Sequence, residues 1–161
     1  MMAHLGILER KFDLVVSGIN PGANVGRSVY HSGTIGATLT GRNYGLNGVA
    51  VSQAVTGFSV EGQGWDEMVK GQLWDTAATV ASHVVRGVID TPHHEPLVVN
   101  VNVPNLPLDE IKGWRRTRVG HEPPRAMVEA KMIPKEGHTS SYDIKMSWGD
   151  PLPLPIDTDG G

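Results

Sequence analysis

An α/β fold with three layers and a mainly parallel central sheet is the class that this sequence of 161 residues predicts. Three features point to it. Short apolar runs that read as buried strands lie near 13–17, 48–52 and 97–103. Helical patterns separate them, near 34–44 and 74–89. The first strand, with Leu14-Val15-Val16-Ser17-Gly18, opens into a polar Gly-rich loop that delivers the chain to Ser32-Gly33-Thr34, which reads as a helix start. Strands that alternate with helices form a parallel sheet covered on its faces. Small ligands bind such sheets at the carboxyl ends of the strands.

Taken in order, Met2, Leu5, Ile7 and Leu8 fall loosely at helical spacing, so a helix is expected over 1–12 before the first strand. The helix at 34–44 carries Gly36, Gly41 and threonines at 34, 38 and 40, all weak helix formers, so packing must hold it. Its small residues allow a close approach to the sheet, and Gly45 suits the residue just past its end. Residues 54–72 are polar and Gly-rich, with Phe58, Trp65 and Met68 scattered through them, and are expected to form an exposed, mobile excursion. Trp65 either anchors that loop or stacks on a base.

The helix at 74–89 is plainer: Ala77, Ala78, Ala81, Val84, Val85 and Val88 make one apolar face, and Asp75 favours the first turn. In the strand at 97–103, stopped by Pro104, Asn100 and Asn102 share one face and Val99, Val101 and Val103 the other. Those asparagines are expected to brace neighbouring loops rather than touch a ligand, since buried amides need partners. His93-His94 beside Glu95 reads as a solvated turn, because adjacent side chains in a turn seldom converge on a metal.

Beyond Gly113 the alternation stops. Arg115, Arg116 and Arg118 lie in a short strand-like run, and Pro123, Pro124, Pro134, Pro151, Pro153 and Pro155 interrupt the remainder of the chain. Two weak strands, near 127–133 and 142–148, suggest an extended hairpin around Glu136-Gly137. Alone, a two-stranded arm is marginal. The expected organisation is a single domain over 1–161, with an α/β core at 1–113 and an arm and tail at 114–161. Disorder of the tail is the alternative.

Composition narrows the class. A chain of 17.3 kDa with 39% hydrophobic and 19% charged residues, 20 Gly and 11 Pro fits a loop-rich globular protein. Net charge is −3, which gives no basic footprint for a nucleic-acid polymer, although a mononucleotide needs only a local site. The absence of cysteine excludes disulfides and thiolate metal sites. The apolar run at the amino terminus is too short for a signal peptide or membrane span, so a cytoplasmic protein without membrane attachment is expected.

The loop after the first strand has two readings. Its glycines serve turns and Ser32 caps a helix, which makes it a connector. Alternatively it is a phosphate or nucleotide site. It holds about a dozen residues, longer than most connections between strand and helix, and long loops are usually functional. It also presents Asn20, Asn24, Ser28, Tyr30, His31, Ser32 and Thr34 as polar groups beside a helix amino end, which favours anions. Gly18, Gly22 and Gly26 are spaced by fours, unlike the nicotinamide fingerprint, and no Gly-Lys-Ser/Thr of a Walker loop occurs.

At these residues the sequence resembles the SurE family of metal-dependent 5'-nucleotidases. The resemblance rests on Val15-Val16-Ser17-Gly18-Ile19-Asn20, then Gly22, Asn24 and Gly26, then Tyr30-His31-Ser32-Gly33-Thr34 with Gly41-Arg42 behind. It continues through Asp75-Thr76-Ala77-Ala78, Val99-Asn100-Val101-Asn102-Val103-Pro104 and Thr117-Arg118-Val119-Gly120. It implies a Rossmann-like (SurE-like) α/β core with an extended hairpin arm that exchanges with neighbouring subunits in a homodimer or homotetramer. It also implies hydrolysis of nucleoside 5'-monophosphates with a divalent cation, Mn2+ or Mg2+. By the same resemblance Asn20 is a metal ligand through its amide oxygen, and Asn24, Ser32, Gly33 and Thr34 contact phosphate. Without the resemblance, Asn20 reads equally as a loop asparagine in a left-handed turn. His31 either donates to phosphate or packs.

The family's Asn-Asp-Asp-Gly strand, whose aspartates hold the metal, and its further serine ligand do not occur in this sequence. The chain is therefore expected to be an internal piece of such a protein, with impaired catalysis and no assigned catalytic residue. A non-catalytic phosphate- or nucleotide-binding fragment, or an oligomerisation fragment, is the alternative. Asp157 and Asp159 are tempting replacement acids, but a Pro-rich tail is expected to stay solvated.

Overall fold

Three parallel strands, β1 (Leu14–Pro21), β2 (Asn47–Gln53) and β3 (Val98–Val103), form one sheet in the order β1-β2-β3. They belong to a computed structural model that describes residues 2, 4–56, 65–123 and 125–160, of Trp65 the backbone alone. Helix α1 (Gly33–Asn43) and the longer α3 (Trp74–Asp90) both pack on this sheet, and a single turn, α2 (Trp65–Met68), lies between them in sequence.

The period of two along β2 decides which helix meets which face. Val49 and Val51 pack with Val88 of α3, joined by Leu14, Ile19, Ala81, Val84, Val85, Val99 and Val101, so this face holds the apolar core. The other face of β2 presents Gly48, Ala50 and Ser52. There α1 lies close: a Cβ at Gly48 would stand 2.6 Å from Thr38 Cβ, and one at Gly41 would stand 2.6 Å from Val15 Cγ2. Glycine and threonine, poor helix formers, are thus used in and beneath α1 because they allow this approach. The result is the expected three-layer α/β core.

Helix α1 is fixed at both ends. Ser32 Oγ accepts from the Ile35 N–H at 3.1 Å. At its other end Gly45, with φ +80°, donates to the Arg42 carbonyl while Leu46 donates to that of Gly41, the paired bonds of a Schellman stop. Strand β1 runs further than expected, through Asn20 and Pro21, which pair with Ser52 and Gln53 across an irregularity after Ser17. Gly18 makes this possible, since a Cβ there would collide with the Val51 carbonyl.

The expected helix over 1–12 does not form among the described residues there, which adopt turns. Gly6 and Glu9 have positive φ, and Leu5, Ile7 and Leu8 are exposed, so no packed face supports helical spacing. Of the excursion over 54–72, residues 57–64, including Phe58, and the Trp65 side chain lie outside the described residues. Met68 is buried. His93, His94 and Glu95 are exposed in a turn region, as expected.

The chain divides into two compact units: residues 1–24 with 28–116, and residues 25–27 with 117–161. In the second, β4 (Met127–Pro134) and β5 (Tyr142–Trp148) form the expected antiparallel hairpin, and every residue of both strands is exposed. One face pairs Met127, Ala130, Met132 and Pro134 with Trp148, Met146, Ile144 and Tyr142; the other is mostly charged or polar. The tail is not solvated throughout: Thr158 is buried, and residues 157–159 bond along Arg118. Among the described residues no helix is long and apolar enough to cross a membrane.

Candidate functional site

The carboxyl end of the sheet gathers polar side chains in one row. Asn20 on β1 lies opposite Ser52 on β2, and Ser52 opposite Asn102 on β3. A carbonyl can only accept, so the Asn20 Nδ2 must face the Gly22 carbonyl that it meets at 2.7 Å. That directs Oδ1 the other way. The turn is fixed again when the Gly22 N–H donates to the Gln53 carbonyl at 2.7 Å.

Asn24 is held from three sides. Its N–H donates to Asn102 Oδ1 at 2.8 Å, and its carbonyl accepts from Asn102 Nδ2 at 3.2 Å and Asn100 Nδ2 at 2.9 Å. One asparagine side chain thus serves both backbone groups of Asn24, as a neighbouring strand would. The Asn24 side chain turns inward and donates to Ser52 Oγ at 2.7 Å. Asn24, which the resemblance assigns to phosphate, is buried, because a loop crossing the end of a sheet must satisfy its backbone internally. Asn100 and Asn102 brace the loop, as their spacing suggested. Asn100 Oδ1 remains buried with no described partner.

From Gly26 to His31 the chain forms a short 3-10 helix and then reaches Ser32, Gly33 and Thr34. Ser32 Oγ is committed to the Ile35 N–H. The N–H groups of Gly33 and Thr34 occupy the first two helical positions, where no intrahelical acceptor exists. Gly33 is exposed, and Ser32 and Thr34 are partly so. Together with the positive end of the α1 dipole, such N–H groups suit an anion. Among the described residues no hydrogen bond joins Asn20 or Asn24 to these groups. His31 is exposed.

A divalent cation requires more than Asn20. Among the described residues no group of three or more His, Cys, Asp or Glu side chains could hold one. A neutral amide oxygen competes poorly with water for such an ion. The residues present therefore do not by themselves fit the metal that the sequence resemblance implies.

Asn105 carries no motif that marks it in the sequence. Its Oδ1 accepts from the Leu73 N–H at 2.9 Å and from Gln53 Nε2 at 3.0 Å. Its Nδ2 donates to Thr56 Oγ1 at 2.9 Å and to Gln72 Oε1 at 2.7 Å. It ties together the two ends of the excursion beside the buried Gln53. The one local signal is an asparagine directly after the strand-ending Pro104.

Residues 1–125 match the family described as Survival protein SurE. The chain belongs to the SurE family. Among its relatives, the 5'-nucleotidase SurE of Halorhodospira halophila is 43% identical over 119 residues, which is 74% of this chain and 43% of that protein. The 5'-nucleotidase SurE of Nitrosococcus oceani is 41% identical over 121 residues, 73% of this chain and 43% of its own length. The chain thus spans less than half of either SurE relative. The crystal structure of the SurE protein from Aquifex aeolicus superposes with a TM-score of 0.70 at 27% identity, covering 98% of this chain and 59% of that one.

Proposed function

We propose that this chain carries the phosphate cradle and the self-association arm of a 5'-nucleotidase that hydrolyses nucleoside 5'-monophosphates to nucleoside and phosphate in the cytoplasm. The observation that carries it is the start of α1, where Ser32 caps one N–H and leaves those of Gly33 and Thr34 for an anion. The relatives named as 5'-nucleotidases support the choice of a phosphomonoester. In this proposal Ser32, Gly33 and Thr34 receive the phosphate. Asn24 fixes the loop, and Asn20 offers one neutral oxygen to a cation, Mn2+ or Mg2+, whose anionic ligands are not among the described residues. Such a cation supplies charge neutralisation on the phosphoryl group.

The apolar face of the hairpin is the proposed contact with a second copy in a homodimer or homotetramer, the arm and tail over 114–161 being the assembly portion of one domain. The second reading, a non-catalytic phosphate- or nucleotide-binding module, is favoured by the missing cluster of metal-binding side chains among the described residues.

Calorimetric titration and phosphate-release assays separate the two. The 161-residue chain is expected to bind a nucleoside monophosphate weakly and not to turn it over. With an Asn-Asp-Asp-Gly strand joined ahead of Met1 it is expected to release phosphate in Mn2+ or Mg2+, and Asn20→Ala is expected to abolish that release. If the chain alone turns over at about 1 per second or faster, an ordinary enzymatic rate, the metal site is built from other residues. If the extended chain binds but never hydrolyses, the second reading stands.

A further inference from the structure

We infer that Asp159 is a positioning residue for the Gly-rich loop, its carboxylate capping the 3-10 helix that leads into the proposed phosphate cradle. The role rests on the phosphate reading above; the cap itself stands on geometry within the second unit. The 3-10 helix begins at Gly26 and has no acidic residue in its own first turn. Its first N–H therefore needs an acceptor from elsewhere. Asp159 Oδ1 accepts from the Gly26 N–H at 3.0 Å and from the Gly120 N–H at 2.9 Å. One oxygen serving two backbone donors suits a charged acceptor.

The surroundings fix Asp159 in that place. Its N–H donates to the Arg118 carbonyl at 2.9 Å, and the Arg118 N–H donates to the Asp157 carbonyl at 3.2 Å. Thr158 between them is 4% exposed. On the loop side, Arg27 Nε donates to the His121 carbonyl at 2.6 Å, and Gly26, at φ +55°, sits where a Cβ would meet the Glu122 carbonyl. Residues 25–27 thus take their conformation from segments 118–122 and 159. Asn24, one residue earlier, takes its own from Asn100, Asn102 and Ser52. The 3-10 helix that runs on to Ser32 thus starts from a bonded turn.

The test uses the 161-residue chain with Asp159→Ala, Asp159→Asn and the control Asp157→Ala, which touches only the exposed pair with Arg118. Amide hydrogen exchange is read at Gly26, Gly120 and in β1–β3, and affinity is read by calorimetry with a nucleoside monophosphate. Asp159→Ala is expected to speed exchange at Gly26 and Gly120 at least about tenfold, with β1–β3 unchanged, and to weaken affinity by about tenfold, as loss of roughly one charge-assisted bond would. Asp159→Asn keeps an acceptor at Oδ1 and is expected to recover most of both. Asp157→Ala is expected to change neither. Unchanged exchange at Gly26 in Asp159→Ala overturns the cap. Faster exchange with undiminished affinity overturns the positioning role. A wild-type chain that binds no nucleotide overturns the phosphate reading and with it the positioning role, while the exchange data still decide the cap.

Discussion

Strand β2 and the β4–β5 hairpin both pair their backbones but bury their side chains in opposite degree. Val49, Ala50, Val51, Ser52 and Gln53 are at most 1% exposed, whereas every residue of the hairpin is exposed. Strand β2 has a neighbour on each edge and a helix on each face. The hairpin has one pairing, and both its strands are exposed among the described residues. Ladder hydrogen bonds occur in both, on two edges of β2 and one of each hairpin strand, and the larger difference lies in apolar burial, the dominant stabilising term in folding. Two strands alone are marginal. The hairpin's apolar face is the surface proposed above to meet a second copy.

The largest effect is expected where the sheet is tightest. Gly48→Val places a branched side chain where even a Cβ would stand 2.6 Å from Thr38 Cβ. Overpacking of this kind costs about 3 kcal/mol or more, because α1 must move off the sheet. Denaturant unfolding followed by circular dichroism is expected to show a lower midpoint or no cooperative transition. A midpoint like that of the wild type would mean that α1 does not depend on this contact, and the contrast between the two regions would lose its basis.

The two regions also differ in how legible they are. Strands and helices of the sheet are readable to within a residue or two at most ends, since burial on both faces leaves continuous apolar runs and packing fixes the helices between them. The extension of β1 through Asn20 is not, because it depends on Gly18 approaching the Val51 carbonyl, a contact between strands. The hairpin is legible from two weak strands around Glu136-Gly137. The helix expected over 1–12, which does not form among the described residues, shows the limit of periodicity: Leu5, Ile7 and Leu8 have the spacing but stay exposed. At the site, Ser32 announces itself as a cap beside its own helix. The roles of Asn24 and Asp159 are set by partners 78 and 133 residues away, so no local pattern could disclose them.

A smaller effect on stability, but a decisive one on assembly, is expected from Ile144→Asp on the apolar face of the hairpin. The side chain is 64% exposed, so stability of the fold is expected to change by about 0.5 kcal/mol or less, as for most surface substitutions. Light scattering coupled to size exclusion is expected to show the wild type as a dimer or larger and the variant as a monomer. A monomeric wild type would make the exposed face a property of the isolated chain, and the comparison would then concern stability alone.

The smallest effect concerns Asp157 and Arg118, which meet at 2.6 Å with side chains 59% and 61% exposed. The hydrogen bond from Arg118 holds the Asp157 carboxyl below the usual carboxylate range, with the guanidinium charge adding to it and partial desolvation opposing. The same bond raises Arg118 further above its ordinary value. A carboxyl whose folded value is depressed stabilises the folded state at pH above its ordinary value of about 3.9 and loses that contribution as pH falls through the folded value. Thermal melts of the wild type and Asp157→Asn should therefore differ slightly near neutrality and converge as the solution is acidified below the ordinary carboxylate range. The gap should also narrow with added salt, because water and ions screen so exposed a pair. The buried sheet is held instead by the packing of Val49, Val51 and Val88. A pH-dependent difference that survives high salt would mean that the pair is shielded from solvent, and that the second unit relies on burial as the first one does.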